Sequence, residues 1–403
     1  MKFRYFLLAL VIPAMMVCCQ KPENNNNEND DPGNTTVDPG NQTPPEEEPE
    51  LNPEIKNGDM VLATNANVQK FLTDIHYETH TAHQYSKLRD WAAENEVSVC
   101  PGNSDRPPVY SIRWSRDAGD VKITLVEPTQ TRVYEAAADV FYQDIYNLLP
   151  NTHYSFEVVE VSSGKTLNSG EFDTYGLCHQ VFFRTNVRNT RDLGGWKTTD
   201  GKTVKYRMVY RSGRLEAGKL SKSGKKDLVQ EGIKAQLDLR GQSDVLKEST
   251  LKGLVDDYEF CAPIVEEGYA QMLNDDKEKT RQCMQFIFDM VAANKPVDFH
   301  CSLGRDRTGT VAMLCLGVLG VDEGDISQEY ELTQFAPHGY ATSDGEKSKM
   351  VRTVDYKGAA NVIWNLVDEA GGETFKDGVE KYLISIGISK ADIDAFRANM
   401  LVD

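Results

Sequence analysis

The stretch TGTVAMLCLGVLGV, residues 308–321, is apolar almost all round. A helix of that pattern has no face to give to water, so it has to lie at the centre of a domain, with other elements packed against it. PVDFH, residues 296–300, reads as a short strand, and the segment HCSLGRDRTG joins it to the helix. A strand feeding a buried helix through a short glycine-bearing loop belongs to an α/β layer architecture. The neighbouring sequence agrees. GKKDLVQEGI reads as an amphipathic helix and IKAQLDLR as a short buried strand. DKEKTRQCMQFIFDMVAANK sets Cys283, Phe286, Ile287 and Met290 at helical spacing before Pro296. From Asp325 onward the chain is mainly helical, with breaks at APHGYATSDGEKS, AGGET and IGIS. Residues 178–403 are therefore expected to form an α/β domain with a central, partly parallel sheet flanked by helices.

The loop itself carries chemistry. Backbone N–H groups that converge at a helix N-terminus make a cradle for an oxyanion, and the helix dipole adds positive potential there. Ser302, Leu303, Gly304 and Arg305 would line that cradle, with His300 at the strand end. The same field favours Cys301 as a thiolate nucleophile. Arg307, six positions later, can grip two anion oxygens with its planar guanidinium. Gly304 lets the backbone turn inward where a side chain would block the anion. Thr308 can donate its hydroxyl to the sulfur and so make it a better leaving group.

HCSLGRDRT fits the H-C-x5-R-[ST] signature, and the loop resembles that of the cysteine-dependent tyrosine phosphatases, with His300, Gly304, Thr308 and Gly309 also in agreement. NTRDLGGWKTTDGKTVKYRMVYRSGRL, GIKAQLDLR, GDISQEYELT and GVEKYLISIGISKADIDAFRANML extend the resemblance to an atypical bacterial family that acts on phosphotyrosine and often on phosphoinositides. The resemblance implies a cysteine-phosphatase fold over residues 178–403 and a two-step reaction through a phosphocysteine, with no metal or cofactor. It gives Asp306 an acid or orienting role and puts Arg305 where lysine is more usual. No W-P-D tripeptide supplies a general acid. Glu266 and Glu267 lie in about the right part of the chain. Asp192 and Asp238 each neighbour an arginine, and read first as a turn residue and a local ion pair. Asp192 and Arg240 are also candidates for substrate binding. The resemblance brings Arg191, Arg211, Arg214 and Arg240 near the loop, and such cations would suit phosphoinositides as well as phosphotyrosine. An inositol-phosphate (phytase-like) phosphatase and a non-catalytic surface protein that recognises phosphate are the alternatives; the intact pair Cys301 and Arg307 favours an enzyme.

The first half of the chain is of another kind. MKFR followed by YFLLALVIPAMMV has the charge and length of a signal peptide, and Cys18 and Cys19 end it in a pattern resembling a bacterial lipobox. Lipidation at Cys19 would make residues 1–18 a leader and anchor an exported lipoprotein in the outer membrane, at its periplasmic face or the cell surface. Residues 19–54 carry ten acidic residues against one lysine and almost nothing apolar, as a disordered tether does. That tether holds half of the net charge of −18, and no basic run follows it, which argues against a nucleic-acid partner. Residues 55–175 are expected to form a small all-β sandwich. VYSIRWS, VKITLVE, TRVYEAA, DVFYQDIYNL and YSFEVVEV read as its strands, GDMVLATNANVQKFL as its first strand, and QYSKLRDWAAEN as an inserted helix. LLPNTHYSFEV, with Leu149, Pro150, Thr152 and Tyr154, resembles the late-strand signature of fibronectin type III domains. The expected role of this part is a spacer. Eight cysteines without close metal-ligand spacing make a zinc site a poor fit, and Cys261 and Cys283 are candidate disulfide partners of Cys301.

Overall fold

A computed structural model describes residues 60–62, 66–75, 87–96, 107–176, 178–183, 187–241, 249–265, 268–336 and 354–403. The expected leader and tether, Cys18, Cys19, Glu266 and Glu267 lie outside these residues, as does most of the APHGYATSDGEKS break. In chain order β1 (Met60–Leu62) is followed by helices α1 (Ala66–Asp74) and α2 (Lys87–Glu94). Strands β2 (Tyr110–Arg113), β3 (Val121–Glu127), β4 (Gln130–Ala136), β5 (Tyr142–Ile145), β6 (His153–Glu160) and β7 (Thr166–Gly176) come next. One sheet has the order β1-β7-β6-β3-β4, and β2 pairs with β5 in another. The alternation along β3 turns Val121, Ile123 and Leu125 inward, as a strand with one wet face requires. They share a core with Ile112, Trp114, Tyr154, Phe156 and Phe172. The Tyr154 hydroxyl accepts the Leu149 N–H at 2.7 Å and so ties the turn before β6.

GDMVLATNANVQKFL is only briefly a strand. Met60–Leu62 pairs parallel with the end of β7, and the chain then turns helical. Val68, Phe71 and Ile75 recur at helical spacing, and all three are buried in the core of the α/β part, not of the sandwich. Phe71 meets Phe335 at 5.2 Å between ring centroids, and Gln328 Nε2 donates to the carbonyls of Leu72 and Ile75 at the end of α1. A second seam joins β3 to the α/β part. Arg207 pairs with Glu127 at the end of β3 and lies 3.5 Å from Glu231. Asn147 exchanges two hydrogen bonds with the backbone of Phe182, at 2.8 and 3.0 Å.

The α/β part contains β8 (Arg191–Asp192), β9 (Thr203–Val204), β10 (Val209–Ser212), α3 (Lys222–Gln230), β11 (Ala235–Asp238) and β12 (Asp257–Phe260). There follow α4 (Tyr269–Asn274), α5 (Lys277–Ala292), β13 (Val297–His300), α6 (Asp306–Leu319) and α7 (Glu323–Glu331). The chain ends with α8 (Val354–Ala370), α9 (Phe375–Ser385), α10 (Lys390–Met400) and β14 (Leu401–Val402). Its sheet has the order β12-β11-β13-β10-β8, parallel except for β8. β13 lies at the centre of this sheet, which is the central, partly parallel sheet expected from the sequence. Every residue of α6 from Thr308 to Leu319 is buried, as its uniformly apolar sequence demands. Gly320, in the left-handed region, then ends the helix.

Candidate active site

β13 lies between β10 and β11 in a register that sets Ser212, His300 and Asp238 side by side at the carboxyl edge of the sheet. Open α/β sheets place ligands at that edge. Here the chain leaves β13, passes through Cys301–Arg305 and enters α6. Gly304 has φ of +70°, and a Cβ there would stand 2.7 Å from the backbone of Ser212 and Gly213. The end of β10 therefore presses on the loop, and only glycine fits.

The direction of the loop's peptide groups decides what it can bind. Asn189 Nδ2 donates to the carbonyls of Leu303 (3.3 Å) and Gly304 (2.8 Å), and Arg211 Nη2 also donates to Gly304. Arg214 N–H takes the Ser302 carbonyl at 3.3 Å. Three successive carbonyls are thus held by protein donors, while no acceptor among the described residues takes the N–H groups of Ser302, Leu303 or Gly304. Free N–H groups beside a helix N-terminus form an anion site. Its frame is a buried ion cluster. Glu329 accepts from Arg191 Nε at 2.8 Å and from Arg211 Nη1 at 2.6 Å, and both arginines are fully buried. Arg191 also donates to Asn189 Oδ1, and Asn189 to Thr333 at 3.2 Å. Burial alone would push the Glu329 carboxyl up; the two arginines hold it below the usual range and therefore ionised.

Cys301 opens the loop and is 3% exposed. Thr308 is wholly buried, and its hydroxyl has no hydrogen-bond partner among the described residues. Arg307 is half-buried, with Nε donating to the Pro263 carbonyl at 2.5 Å. Ser302 is exposed and Leu303 half-buried. Asp306 Oδ1 accepts from Arg305 Nε at 2.6 Å and from the Tyr269 hydroxyl. His300 is fully buried, so its ring stands behind the loop. Gln236 Nε2 donates to the Leu215 carbonyl (2.8 Å) and to His300 Nε2 (2.9 Å), which leaves the ring proton on Nδ1, toward the Cys301 carbonyl and Asp238. Burial pushes the His300 pKa down and keeps the ring neutral.

The remaining candidates sit in internal pairs. Asp192 accepts the N–H groups of Gly194 (2.8 Å) and Arg207 (2.7 Å), and burial pushes its pKa up to about 7. Arg240 spends its guanidinium on both oxygens of Asp238 and on Glu216. Burial raises the Asp238 carboxyl, but the bonds from Arg240 bring it below its ordinary value. With both oxygens taken by Arg240, Asp238 has no oxygen left from which to give a proton. Arg191, Arg211 and Arg240, expected near a substrate rim, are at most 2% exposed: their charges brace the loop and its neighbours. Cys261 Sγ donates to the Lys279 carbonyl at 3.2 Å, and Cys283 Sγ to the Cys261 carbonyl at 3.9 Å, so these two thiols neighbour each other. Asn189, Glu329, Thr333, Pro263, Tyr269 and Tyr330 were not among the residues singled out from the sequence. Asn189 opens the segment NTRDLGG, and Glu329, Tyr330 and Thr333 lie within GDISQEYELT, whereas Pro263 and Tyr269 belong to neither.

The profile of the tyrosine phosphatase family matches residues 184–402, just over half of the chain. A provisionally named tyrosine-protein phosphatase of Cupriavidus necator is 27% identical over 173 residues, 38% of this chain and 62% of the relative's length. A tyrosine-protein phosphatase of Nostoc commune is 23% identical over 221 residues, 46% of this chain and 72% of that one. Among solved structures, P. aeruginosa TpbA in complex with pTyr is 14% identical, covering 48% of this chain and 98% of its own, with a TM-score of 0.29. The core catalytic domain of the S. cerevisiae PP-IP phosphatase SIW14 is 16% identical, covering 40% and 88%, with a TM-score of 0.28.

Proposed function

The chain belongs to the tyrosine phosphatase family, and from that membership we propose that it is a cysteine-dependent phosphomonoester hydrolase acting on phosphotyrosine. The thiolate of Cys301 attacks phosphorus, the bond to the leaving oxygen breaks, and that oxygen takes a proton from Asp306. Water then attacks the phosphocysteine, the P–S bond breaks and the thiolate returns, with the Thr308 hydroxyl as a donor to it. The loop N–H groups and Arg307 hold the equatorial oxygens in both steps. One observation carries this reading: the carbonyls of Ser302, Leu303 and Gly304 are all tied to protein donors, so the N–H groups beside Cys301 remain for an anion.

Phosphotyrosine is preferred over phosphoinositides because three of the arginines that would have formed a cationic rim are spent on Glu329, Asp238, Glu216 and the loop itself. Phosphate release from phosphotyrosine peptides, phosphoinositides and inositol phosphates tests the assignment. The expected order has the peptides turned over fastest, with inhibition by vanadate and none by chelators. Faster turnover of inositol lipids would reverse the substrate assignment, and binding without release would make the chain a phosphate-recognising protein. We further propose that the chain is an exported lipoprotein held at the outer membrane through Cys19, and that, within the expected span 55–175, strands β2–β7 form a fibronectin type III-like module, while α1 belongs to the α/β core.

A further inference from the structure

Asp306 is held with an asymmetry that bears on its chemistry. Both of its donors, the Tyr269 hydroxyl and Arg305 Nε, reach the same oxygen, Oδ1. The Tyr269 hydroxyl in turn accepts from the Tyr330 hydroxyl at 3.0 Å, and the two rings meet edge-on at 6.1 Å between centroids. Tyr269 opens α4, Tyr330 lies in α7 and Asp306 starts α6, so three elements converge on one carboxyl. Tyr330 reaches this place because residue 309 on α6 is glycine: a Cβ there would lie 2.8 Å from its ring. Both tyrosines are buried. Burial above all, then Tyr330 and Asp306, pushes the Tyr269 phenol well above its ordinary range, so it stays protonated and acts as a donor.

We propose that Tyr269, backed by Tyr330, is the positioning residue of the general acid, fixing Asp306 so that its exchangeable proton sits on Oδ2. This rests on the phosphatase reading given above. With Oδ1 saturated by two donors, the protonated carboxyl carries its hydrogen on Oδ2. In the first step the electrons of the breaking P–O bond go to the leaving oxygen, which takes the Oδ2 proton as the P–S bond forms. Asp306 is left as a carboxylate whose charge Tyr269 and Arg305 stabilise. In the second step water returns a proton to Oδ2 as it attacks phosphorus, and the P–S electrons return to Cys301.

A positioning role of this kind has a signature that general loosening of the fold lacks: dependence on the leaving group. Tyrosine leaves with a pKa of about 10 and needs the proton, whereas nitrophenolate leaves without one. Tyr269→Phe removes one hydroxyl from the buried cluster. Its kcat on a phosphotyrosine peptide is expected to fall about 10- to 100-fold, with less than about a threefold loss on p-nitrophenyl phosphate. Asp306→Asn should show the same contrast, and Tyr330→Phe a smaller one in the same direction. Equal losses on both substrates in Tyr269→Phe and Tyr330→Phe, or no loss on either, overturn the inference and leave the phosphatase reading standing. No turnover of either substrate by the wild-type protein sinks both.

Discussion

At the scale of single residues, the loop at Cys301 is framed by buried side chains, Asn189, Arg191, Arg211 and Glu329. Asn189 turns two carbonyls away from the anion position, at a φ of +53° that asparagine tolerates better than most residues. Replacing it with alanine removes both bonds, at about 0.5–1.5 kcal/mol each. Asn189→Ala is therefore expected to lower kcat/KM roughly 5- to 100-fold and to weaken vanadate inhibition in parallel; an unchanged vanadate constant would contradict the frame described for the loop. Asp298 makes a different prediction. It is fully buried in β13, accepts from Ser212 at 3.0 Å through Oδ1, and has no partner for Oδ2 among the described residues. Burial pushes its pKa up to about 8 from 3.8. Between those values the folded protein holds a proton that the unfolded chain has lost, so this group makes stability fall as pH rises from about 4 to 8. Asp298→Asn should flatten that slope and stabilise the protein at pH 8 by on the order of 1–2 kcal/mol, as thermal unfolding across this pH range would show. A slope as steep as in the wild type would refute the assignment.

At the scale of elements, local patterns were legible and distant pairings were not. β11, β13, α5 and α6 follow from runs of apolar residues bounded by glycine, proline or charge. The breaks at AGGET and IGIS fall at helix ends. β7 has weak strand propensity at Asn168, Ser169 and Gly170, and its pairing with β6 holds it in the sheet instead. The loop was legible because its residues are contiguous. Its frame was not: Asn189 meets Thr333 and Arg191 meets Glu329 across some 140 residues of chain, and a buried arginine looks in sequence like a surface one. α1 shows the same limit, since its apolar spacing was visible but its destination was not. Phe71 is fully buried against Phe335, two residues beyond Thr333. Phe71→Ala should cost about 3–5 kcal/mol and lower the thermal midpoint by on the order of 10 °C. A shift within a degree or two would mean that α1 contributes little to the α/β core.

At the scale of the whole molecule, α1 and the β-strands up to residue 176 are joined to the α/β part by buried contacts. Arg207, Glu127 and Glu231 form a buried ion cluster across the seam, and α1 lies against α7 through Gln328. Breaking a cluster of this kind leaves uncompensated buried charge. The lipid anchor proposed at Cys19 would stand at the start of the acidic, apolar-poor residues 19–54. Replacing Cys18 and Cys19 with serine should move the protein out of the membrane fraction or block its processing, and unchanged fractionation of both forms would refute anchoring at Cys19. The central claim is that Cys301 carries the phosphoryl group between the two steps. Rapid acid quench of the wild-type protein during turnover of a phosphotyrosine peptide, followed by mass spectrometry of the peptide containing residue 301, tests it most directly. The account predicts phosphate on Cys301 in the quenched enzyme and none on Cys301→Ser, which releases no phosphate; turnover with no label on Cys301, or undiminished release by the serine variant, would contradict it.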